Sequence, residues 1–360
     1  MFKVISANRS PRREPKNWRV FEKEAVEKHF GKVIDCNGED GRSVLEIYNE
    51  HKNDIEYIRW YPDPELMNAQ EYHGMLEQSK EIGDVPYLVN SAEGFKAVQC
   101  KEEAFKKWKD AGVECPDFFS FSNTREFYDK LSAASFTYPF LIRANDSVAG
   151  NHTFMIREES QVDAALIQAL NNVNQFNGID SKVICVEFVD TVDRERNLNF
   201  SFRIHATSKR VVSGYGRVVS ADDWLAITAG KFDIKNIEDW IYYNKLCEDV
   251  CDKYEKEICK SVEALNLNMQ GVDVVINQKT GRPCFLEVQP TYASGYPMEG
   301  YCGYFKPFYN PSNPELVNFL VKEKSLLEKE IPMYYNNWLD KRNHFDLMYG
   351  SLKELLNVRP

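Results

Sequence analysis

The sequence predicts an α/β protein, and three observations point to this fold class. Short apolar runs alternate with segments of helical periodicity over the first hundred residues, which is the pattern of a small α/β unit. Residues 138–157 read as two strands joined by a short loop, and residues 272–288 read as a β-hairpin. Residues 237–265 repeat apolar side chains at spacings of three and four, as one face of a helix does. A chain of 360 residues can hold two or three such lobes.

The first part of the chain contains four predicted strands separated by helical segments. The strands cover residues 2–5, 32–35, 55–60 and 87–89. The polar sequence NSAEG at residues 90–94 ends this alternation. A helix is predicted next, over residues 101–110, because Gly112 and Pro116 follow it and are common helix-ending residues.

The remaining elements are predicted from apolar runs and from one long helical repeat. After the strands YPFLIRA and HTFMIRE come a helix, three strands and a second helix, over residues 161–172, 183–189, 198–206, 210–219 and 237–265. The apolar face of the last helix carries Leu246, Val250, Tyr254, Ile258, Val262 and Leu265. The hairpin VDVVI–NQKTGRP–CFLEV follows, and the chain beyond Pro307 is mostly helical.

Composition restricts the classes of partner. The formal net charge of −10 argues against a duplex nucleic acid, which would favour a basic surface. No apolar run reaches the roughly 18 residues that a membrane span needs, and the polar N-terminal sequence is not a signal peptide.

The 9 scattered cysteines indicate reduced thiols in a cytoplasmic protein. Cys247, Cys251 and Cys259 share one predicted helix, where we expect packing rather than metal binding.

One carboxylate interrupts the apolar run CFLEVQP. If the hairpin folds symmetrically about Thr280, Asp273 lies directly opposite Glu287, where two like charges would repel each other. Two carboxylates and the amide of Gln289 on one face form an oxygen cage that suits a Mg²⁺ ion bound together with substrate phosphates. The alternative is that one carboxylate is protonated, or that a lysine from elsewhere in the chain pairs with them.

A candidate phosphate site lies at the end of an earlier strand. Arg143 ends the run YPFLIRA and is followed by the small-residue loop ANDSVAGNH. Small residues let the backbone approach an anion closely. Because small polar residues also form ordinary turns, the loop alone is a weak signal.

In this order the segments resemble the ATP-grasp superfamily, and within it the carboxylate–amine ligases such as glutathione synthetase and the ribosomal-protein glutamate ligases. Five stretches carry the resemblance: KEEAFKKWKDAGVECP, YPFLIRANDSVAGNH, VEFV, VSGYGR and GVDVVINQKTGRPCFLEVQP. The resemblance implies an ATP-grasp fold with an N-terminal α/β domain ahead of it. The implied units are an N-terminal domain over 1–99, a nucleotide-binding lobe over 100–190, a C-terminal lobe with the magnesium hairpin over 191–320, and a helical tail over 321–360.

The resemblance also implies an ATP site. Its residues are Lys101, Arg143, Ser147, Gly150, Glu187, Phe188, Val189 and Asp193. Lys101 and Arg143 would contact the phosphates, and backbone groups of Glu187 and Val189 would meet the adenine edge. Asp193 would bind the ribose, with Asp190 as the second choice. The family usually has lysine where this chain has Arg143. It usually has a carboxylate or amide where this chain has Val186, so that contact to the adenine amino group is lost or replaced here.

The metal ligands and the catalytic residues are implied in the same way. Asp273, Glu287 and Gln289 would bind Mg²⁺, and Gln289 replaces the usual asparagine, which makes a second ion less certain. Arg203 and Arg217 would stabilise the negative charge that builds up in acyl-phosphate chemistry. Tyr292, Ser294 and Gly295 would border the acceptor substrate.

These assignments predict an ATP- and Mg²⁺-dependent ligase that activates a carboxylate as an acyl phosphate and couples it to an amine. Amino acids or peptides would be typical substrates, and a homodimer would be usual for the family. Two alternatives stay open at this point: a small-molecule kinase of the same fold, and a non-catalytic nucleotide-binding regulator. The departures at Arg143, Val186 and Gln289 are the reason for keeping the last one.

Overall fold

The structure is a computed structural model, and it describes most of the chain. The described residues are 3–8, 18–36, 43–53, 55–61, 87–90, 100–146, 153–173, 182–222, 237–289 and 322–357, with positions 74, 77, 78, 80–82, 94, 97 and 98. They form three sheets with helices packed against them. Among them, no helix is long and apolar enough to cross a lipid bilayer.

The N-terminal part contains a parallel sheet of four strands in the order β2-β1-β3-β4. Its strands are β1 (Lys3–Asn8), β2 (Lys32–Cys36), β3 (Ile55–Tyr61) and β4 (Tyr87–Val89). The helices α1 (Trp18–Phe30) and α2 (Val44–His51) connect them. Ser43 and Glu46 form a capping box at the start of α2. All four predicted strands are present, and β1 runs on beyond its predicted end.

Helix α3 (Lys101–Asp110) has the predicted bounds and leads into the second sheet. This sheet is antiparallel, in the order β5-β8-β6-β7. Its strands are β5 (Phe118–Phe121), β6 (Phe140–Ala144), β7 (Thr153–Ile156) and β8 (Val183–Glu187). Helices α4 (Thr124–Leu131) and α5 (Val162–Asn172) pack against this sheet, and their apolar side chains form a buried cluster with those of its strands. The predicted strand 183–189 therefore stops two residues early, at Glu187.

The third sheet is also antiparallel, in the order β11-β10-β12-β13, with the short β9 at one end of β10. Its strands are β9 (Val192–Asp193), β10 (Leu198–Thr207), β11 (Val211–Ser220), β12 (Met269–Asn277) and β13 (Arg282–Gln289). Alternate residues such as Phe202, Ile204 and Val272 face a core formed with α3 and the helices after β11. The intervening positions lie on the opposite face of the sheet.

The predicted helix 237–265 is two helices, α6 (Ile237–Lys253) and α7 (Glu255–Ala264), so the prediction of one continuous helix is wrong. The backbone leaves helical geometry at Tyr254, with φ −118° and ψ 22°. The Tyr254 hydroxyl donates a hydrogen bond of 3.0 Å to the carbonyl of Gly281 in the β12–β13 turn. Apolar spacing alone did not show the break, because both helices keep the same face toward the core.

Glycines in β11 let α6 approach the sheet closely. A Cβ on Gly216 would lie 3.1 Å from the Tyr243 carbonyl oxygen, and one on Gly214 would lie 2.9 Å from Cys247 Sγ. Cys247 and Cys251 lie in the core beneath this sheet. The alternation in VSGYGR thus places small residues toward the helix and leaves Ser213, Tyr215 and Arg217 on the other face.

Over its described residues, 322–357, the C-terminal part is helical, as predicted. It consists of α8 (Lys324–Glu330), a π-helix (Met333–Leu339) and α9 (Lys341–Asn357). Helix α9 packs against α1 through an apolar cluster that includes Ala25, Val26, Tyr349 and Leu352. The C-terminal segment therefore belongs to the core of the protein and joins its two ends.

Candidate active site

The candidate site is built on the face of the third sheet that points away from α6, which we call the site face. Residues directly opposite each other in an antiparallel pair project from the same face. Tyr215 pairs with Arg203, Arg203 with Asp273, and Asp273 with Glu287, on strands β11, β10, β12 and β13. The sheet thus brings an aromatic residue, a cation and two carboxylates into one row.

A β-bulge sets the position of Glu287. Between the turn and the bulge, Asn277 pairs with Arg282 and Val274 pairs with Phe285. Beyond the bulge, Asp273 pairs with Glu287. Leu286 is the extra residue between the two registers. It allows Phe285 to remain in the core while Glu287 joins the site face. The predicted pairing of Asp273 with Glu287 is confirmed, and the bulge is its structural basis.

Two arginines hold Asp273. Arg203 binds the carboxylate through Nε and Nη2, the latter at 2.8 Å from Oδ2, and Arg217 Nη1 lies 3.2 Å from the same oxygen. Burial would raise the pKa of Asp273, but the two guanidinium groups outweigh it and hold that pKa below its usual value. Both predicted catalytic arginines thus lie at the predicted metal ligand.

Lys101 reaches Glu287 from the N-terminal end of α3. Its Nζ lies 3.5 Å from Glu287 Oε1, and its side chain is only 4% exposed. Burial and the neighbouring Arg143 lower the pKa of Lys101 to about 8, against the opposing effect of Glu287 and Asp146. Burial lowers the pKa of Arg143, and the negative charge of Glu287 opposes that shift. This is the lysine pairing that the sequence left open, and the same lysine is the predicted phosphate ligand.

Asn145 links Lys101 to the strand that carries Arg143, and the sequence reasoning missed it. Its carbonyl accepts a hydrogen bond from the Lys101 backbone N–H at 3.1 Å, and its Oδ1 accepts from the Glu102 N–H at 2.8 Å. The N-cap residue Cys100 supplies no side-chain acceptor of its own. The available signal was an asparagine two residues after the strand arginine, but asparagine is common in turns.

The predicted adenine segment follows β8. The Glu187 N–H donates to the Asp117 carbonyl at 2.8 Å, and its Oε2 accepts from the Asp117 N–H at 3.3 Å. The amide of Glu187 is therefore engaged within the fold, and an adenine contact from this residue would fall to its carbonyl group. Phe188 and Val189 lie just beyond the strand end and are half-buried.

Both ribose candidates support the turn after β8. Asp193 accepts hydrogen bonds from the Tyr243 hydroxyl at 2.8 Å and from the backbone N–H groups of Glu195 and Arg196. Asp190 pairs with Arg194 and accepts from the Val192 N–H at 3.1 Å. The structure does not decide between them, so the ribose assignment stays a prediction. Ser147, Gly150, Tyr292, Ser294 and Gly295 lie outside the described residues.

The chemistry of the donor set fits a hard divalent cation. Asp273 and Glu287 are adjacent carboxylates, and Gln289, opposite Gly271, is the next residue of β13 on the same face. In the described part of the chain, no group of three or more His, Cys, Asp or Glu side chains is placed to hold a metal ion. The set therefore offers two carboxylates and an amide, and leaves the rest of a Mg²⁺ shell to phosphate and water.

Comparison with known proteins gives a structural likeness without a sequence match. No family model matches the chain, and no curated protein does. D-Alanine–D-alanine ligase from Bacillus anthracis, solved with ATP, is similar over 100% of this chain and 99% of its own, with a TM-score of 0.52 at 11% identity. At such identity the likeness shows the fold alone.

Two further solved structures have comparable similarity. D-Cycloserine synthetase DcsG matches with a TM-score of 0.55 at 12% identity, over 98% of this chain and 99% of its own. The VanG D-Ala:D-Ser ligase from Enterococcus faecalis matches with a TM-score of 0.53 at 13% identity, over the same shares. Nearly the whole chain is thus covered by each comparison.

Proposed function

Because this chain has the ATP-grasp fold, we propose that it is an ATP- and Mg²⁺-dependent ligase that forms an amide or peptide bond. The observation that carries the proposal is the position of Asp273 opposite Glu287, with cations from three other elements directed at the pair. A pair of like charges that is largely removed from water is costly unless it is compensated, and this pair is compensated by groups that can also bind phosphate.

The proposed reaction has two steps. The substrate carboxylate attacks the terminal phosphorus of ATP, the bond to ADP breaks, and an acyl phosphate forms. The amine then attacks the acyl carbon, inorganic phosphate leaves, and the nitrogen loses a proton. Both steps build up negative charge on oxygen, which fixed cations in a water-poor site stabilise.

Each residue of the site has a proposed part in this reaction. Lys101 and Arg143 would bind the phosphates of ATP, since both cations lie beside Glu287. Arg203 and Arg217 would stabilise the transferring phosphoryl group and the oxyanion. A Mg²⁺ ion held by Asp273, Glu287 and Gln289 would neutralise phosphate charge.

The structural relatives support an amino acid or peptide as substrate. The three compared proteins are named for D-alanine, D-serine or D-cycloserine, all small amino acids or close derivatives of them. We therefore propose a small carboxylate and an amine of this class, or the end of a peptide. A homodimer and a cytoplasmic location stay predictions from the sequence.

The first test is the thermal midpoint with and without Mg²⁺ and ATP. A ligand that binds only the folded state raises the free energy of unfolding, by about 4 kcal/mol at a thousand-fold excess over Kd. The thermal midpoint rises as a result. We expect a Mg²⁺-dependent rise in the wild type and its loss in Glu287→Ala. The matched control is Glu330→Ala, which removes a surface ion pair with Lys245 and should keep the rise.

The second test traps the acyl phosphate with hydroxylamine across a panel of amino acids and peptides. A hydroxamate that requires both ATP and a carboxylate is the expected product. A midpoint that does not respond to Mg²⁺ and ATP, together with no hydroxamate, would overturn the ligase proposal. A stable phosphorylated product that needs no amine would indicate a kinase instead.

A further inference from the structure

The C-terminal segment covers one end of the site face through an aromatic stack. Trp338 of the π-helix lies nearly parallel to His205, with ring centroids 4.4 Å apart, and to Tyr215, with centroids 4.8 Å apart. All three side chains are buried. His205 and Tyr215 lie on the site face, on neighbouring strands next to Arg203 and Arg217.

The position of Trp338 is fixed from two sides. The carboxylate of Glu248 on α6 accepts a hydrogen bond from the Tyr334 N–H at 2.8 Å, near the start of the π-helix. Asn337 Nδ2 donates to the Val212 carbonyl on β11 at 3.0 Å. The indole therefore cannot move far relative to β11 without breaking contacts at both ends of its own segment.

Tyr215 in turn contacts Arg217, two residues along the same strand. The Arg217 guanidinium lies 5.6 Å from the centroid of the Tyr215 ring and is close enough to the hydroxyl to affect its pKa. Burial would raise the pKa of Tyr215, but Arg217 and Arg203 outweigh it and hold that pKa below its ordinary value. The lowered pKa of Tyr215 agrees with the position of the two arginines close to it on the site face.

The two arginines differ in how they are held. Arg203 makes two hydrogen bonds to Asp273, whereas Arg217 makes one to it, at 3.2 Å, and also contacts Tyr215. Their residues are almost equally buried, at 8% and 7% exposed. Loss of Tyr215 should therefore loosen Arg217 and leave Arg203 in place.

We propose that Tyr215 and Trp338 are positioning residues, with Trp338 fixing the Tyr215 ring and Tyr215 orienting the Arg217 guanidinium toward Asp273. The catalytic meaning of this arrangement rests on the proposed function, because Arg217 is there the cation that stabilises the reacting oxygens. The geometric part does not depend on any substrate. It assigns to the C-terminal segment a part in the site that its sequence did not indicate.

The decisive experiment measures how fast phenylglyoxal, an arginine-specific reagent, modifies Arg217 relative to Arg203 in the ligand-free protein. Peptide mass spectrometry gives both rates from one sample. Tyr215→Phe keeps the ring and its stack but removes the hydroxyl, and we expect the Arg217/Arg203 ratio to rise about fivefold, as for loss of one polar contact worth about 1 kcal/mol. Trp338→Leu should raise the same ratio.

Trp240→Leu is the matched control. Trp240 is a buried indole of the same apolar cluster, but it packs edge-on against Tyr334, with centroids 5.1 Å apart. It should lower thermal stability about as much as Trp338→Leu without changing the ratio. An unchanged ratio in Tyr215→Phe would overturn the proposal, and an equal rise in Trp240→Leu would overturn the part given to Trp338. If Trp338→Leu does not fold, Trp338→Phe replaces it.

Activity provides a separate readout. In the hydroxamate assay, Tyr215→Phe should lower kcat about tenfold and change the KM for ATP less than twofold, because Arg217 would act on the reacting oxygens rather than on nucleotide binding. A raised modification ratio with no hydroxamate in the wild type would keep the positioning inference and overturn the ligase proposal. A raised ratio with unchanged kcat would show that Arg217 is not catalytic.

Discussion

Asn145 joins two candidate phosphate ligands that come from different elements. It follows β6, which carries Arg143, and its side chain and carbonyl both accept hydrogen bonds from the first turn of α3. Since Lys101 is the first residue of that helix, its backbone cannot shift relative to β6 without breaking these bonds. The two backbone segments that carry the cations are thereby linked through a third, uncharged residue.

Asn145→Ala tests this link. The substitution removes a buried acceptor at a helix N-terminus, and we expect a loss of about 1–2 kcal/mol in the free energy of unfolding. The midpoint rise caused by Mg²⁺ and ATP should also shrink. Urea unfolding measures the first effect, and thermal unfolding with ligand measures the second.

Asn123→Ala is the control for that prediction. Asn123 caps α4 through a bond of 3.0 Å from the Glu126 N–H, but it is exposed and belongs to none of the site elements. It should cost a similar or smaller amount of stability and leave the response to nucleotide unchanged. Equal losses of the nucleotide response in both variants would contradict the role given to Asn145.

The two carboxylates of the site and their pairing could be predicted from the sequence, but the cations that contact them could not. Glu287 stands out because its charge interrupts an apolar run, and the hairpin places Asp273 opposite it, whereas Arg203 and Arg217 were implied only by the family resemblance. Their pairing depends on which strands are neighbours and on the register between them. The separation of Arg203 from Asp273 is 70 residues, and no local spacing rule connects them.

At the scale of elements, the π-helix depends on a buried carboxylate. Glu248 lies on α6 and is 9% exposed, and it accepts a hydrogen bond from the N–H of Tyr334. Burial raises the pKa of Glu248 to about 7, more than the hydrogen bonds from the backbone lower it. The acid is therefore harder to ionise in the folded protein than in the unfolded chain.

This shift predicts a dependence of stability on pH. The folded state binds more protons than the unfolded state between pH ~4.5 and pH ~7, so the free energy of unfolding falls as the pH rises through that window. Glu248→Gln should remove this fall and be the more stable protein at pH 8, by an amount on the order of 3 kcal/mol. Thermal midpoints from pH 4 to pH 9 measure it.

Glu330→Gln is the comparison for the pH series. Glu330 pairs with Lys245, which lowers the pKa of its carboxyl, so it cannot produce a loss of stability toward pH 8. Its replacement should leave the wild-type slope in place. A slope that is the same in the wild type and in Glu248→Gln would mean that another group is responsible.

Bulges and helix breaks were the features of the elements that periodicity could not predict. Apolar runs predicted the four long strands of the third sheet close to their observed bounds, because burial on one face imposes the alternation, but they did not predict β9. Helix α3 was predicted from the helix-ending residues that follow it. The break at Tyr254 leaves the apolar face intact, so it leaves no mark in the pattern. The bulge shows only as a fault in the alternation, with apolar Phe285 two positions before charged Glu287, and that fault does not say which residue is the extra one.

At the scale of the whole molecule, α9 holds the N-terminal sheet against the site-bearing sheet. It contacts α1 through an apolar cluster that also contains Val212 of β11 and Met269 of β12. Polar contacts between the same two helices lie beside the cluster. The Tyr349 hydroxyl donates a hydrogen bond of 2.7 Å to Glu22, and Asp346 pairs with Lys28 and His29. The sequence predicted these residues as helical but gave no indication of what the helix touches.

Leu352→Ala measures the contribution of this helix. The side chain is fully buried, so its truncation should lower the free energy of unfolding by about 2–5 kcal/mol. Ile167→Ala removes an aliphatic side chain that is 61% exposed on α5, and it should change stability by less than about 0.5 kcal/mol. Equal effects of the two substitutions would show that α9 is peripheral to the fold.

The pairing of α1 with α9 also has a consequence for synthesis. Glu22 and Tyr349 are 327 residues apart, so at about 5–20 residues per second the ribosome makes the second helix roughly 15–65 seconds after the first. During that interval the apolar face of α1, with Ala25 and Val26, has been translated and its partner has not. We expect nascent chains that lack α9 to be the form of this protein that chaperones bind most strongly.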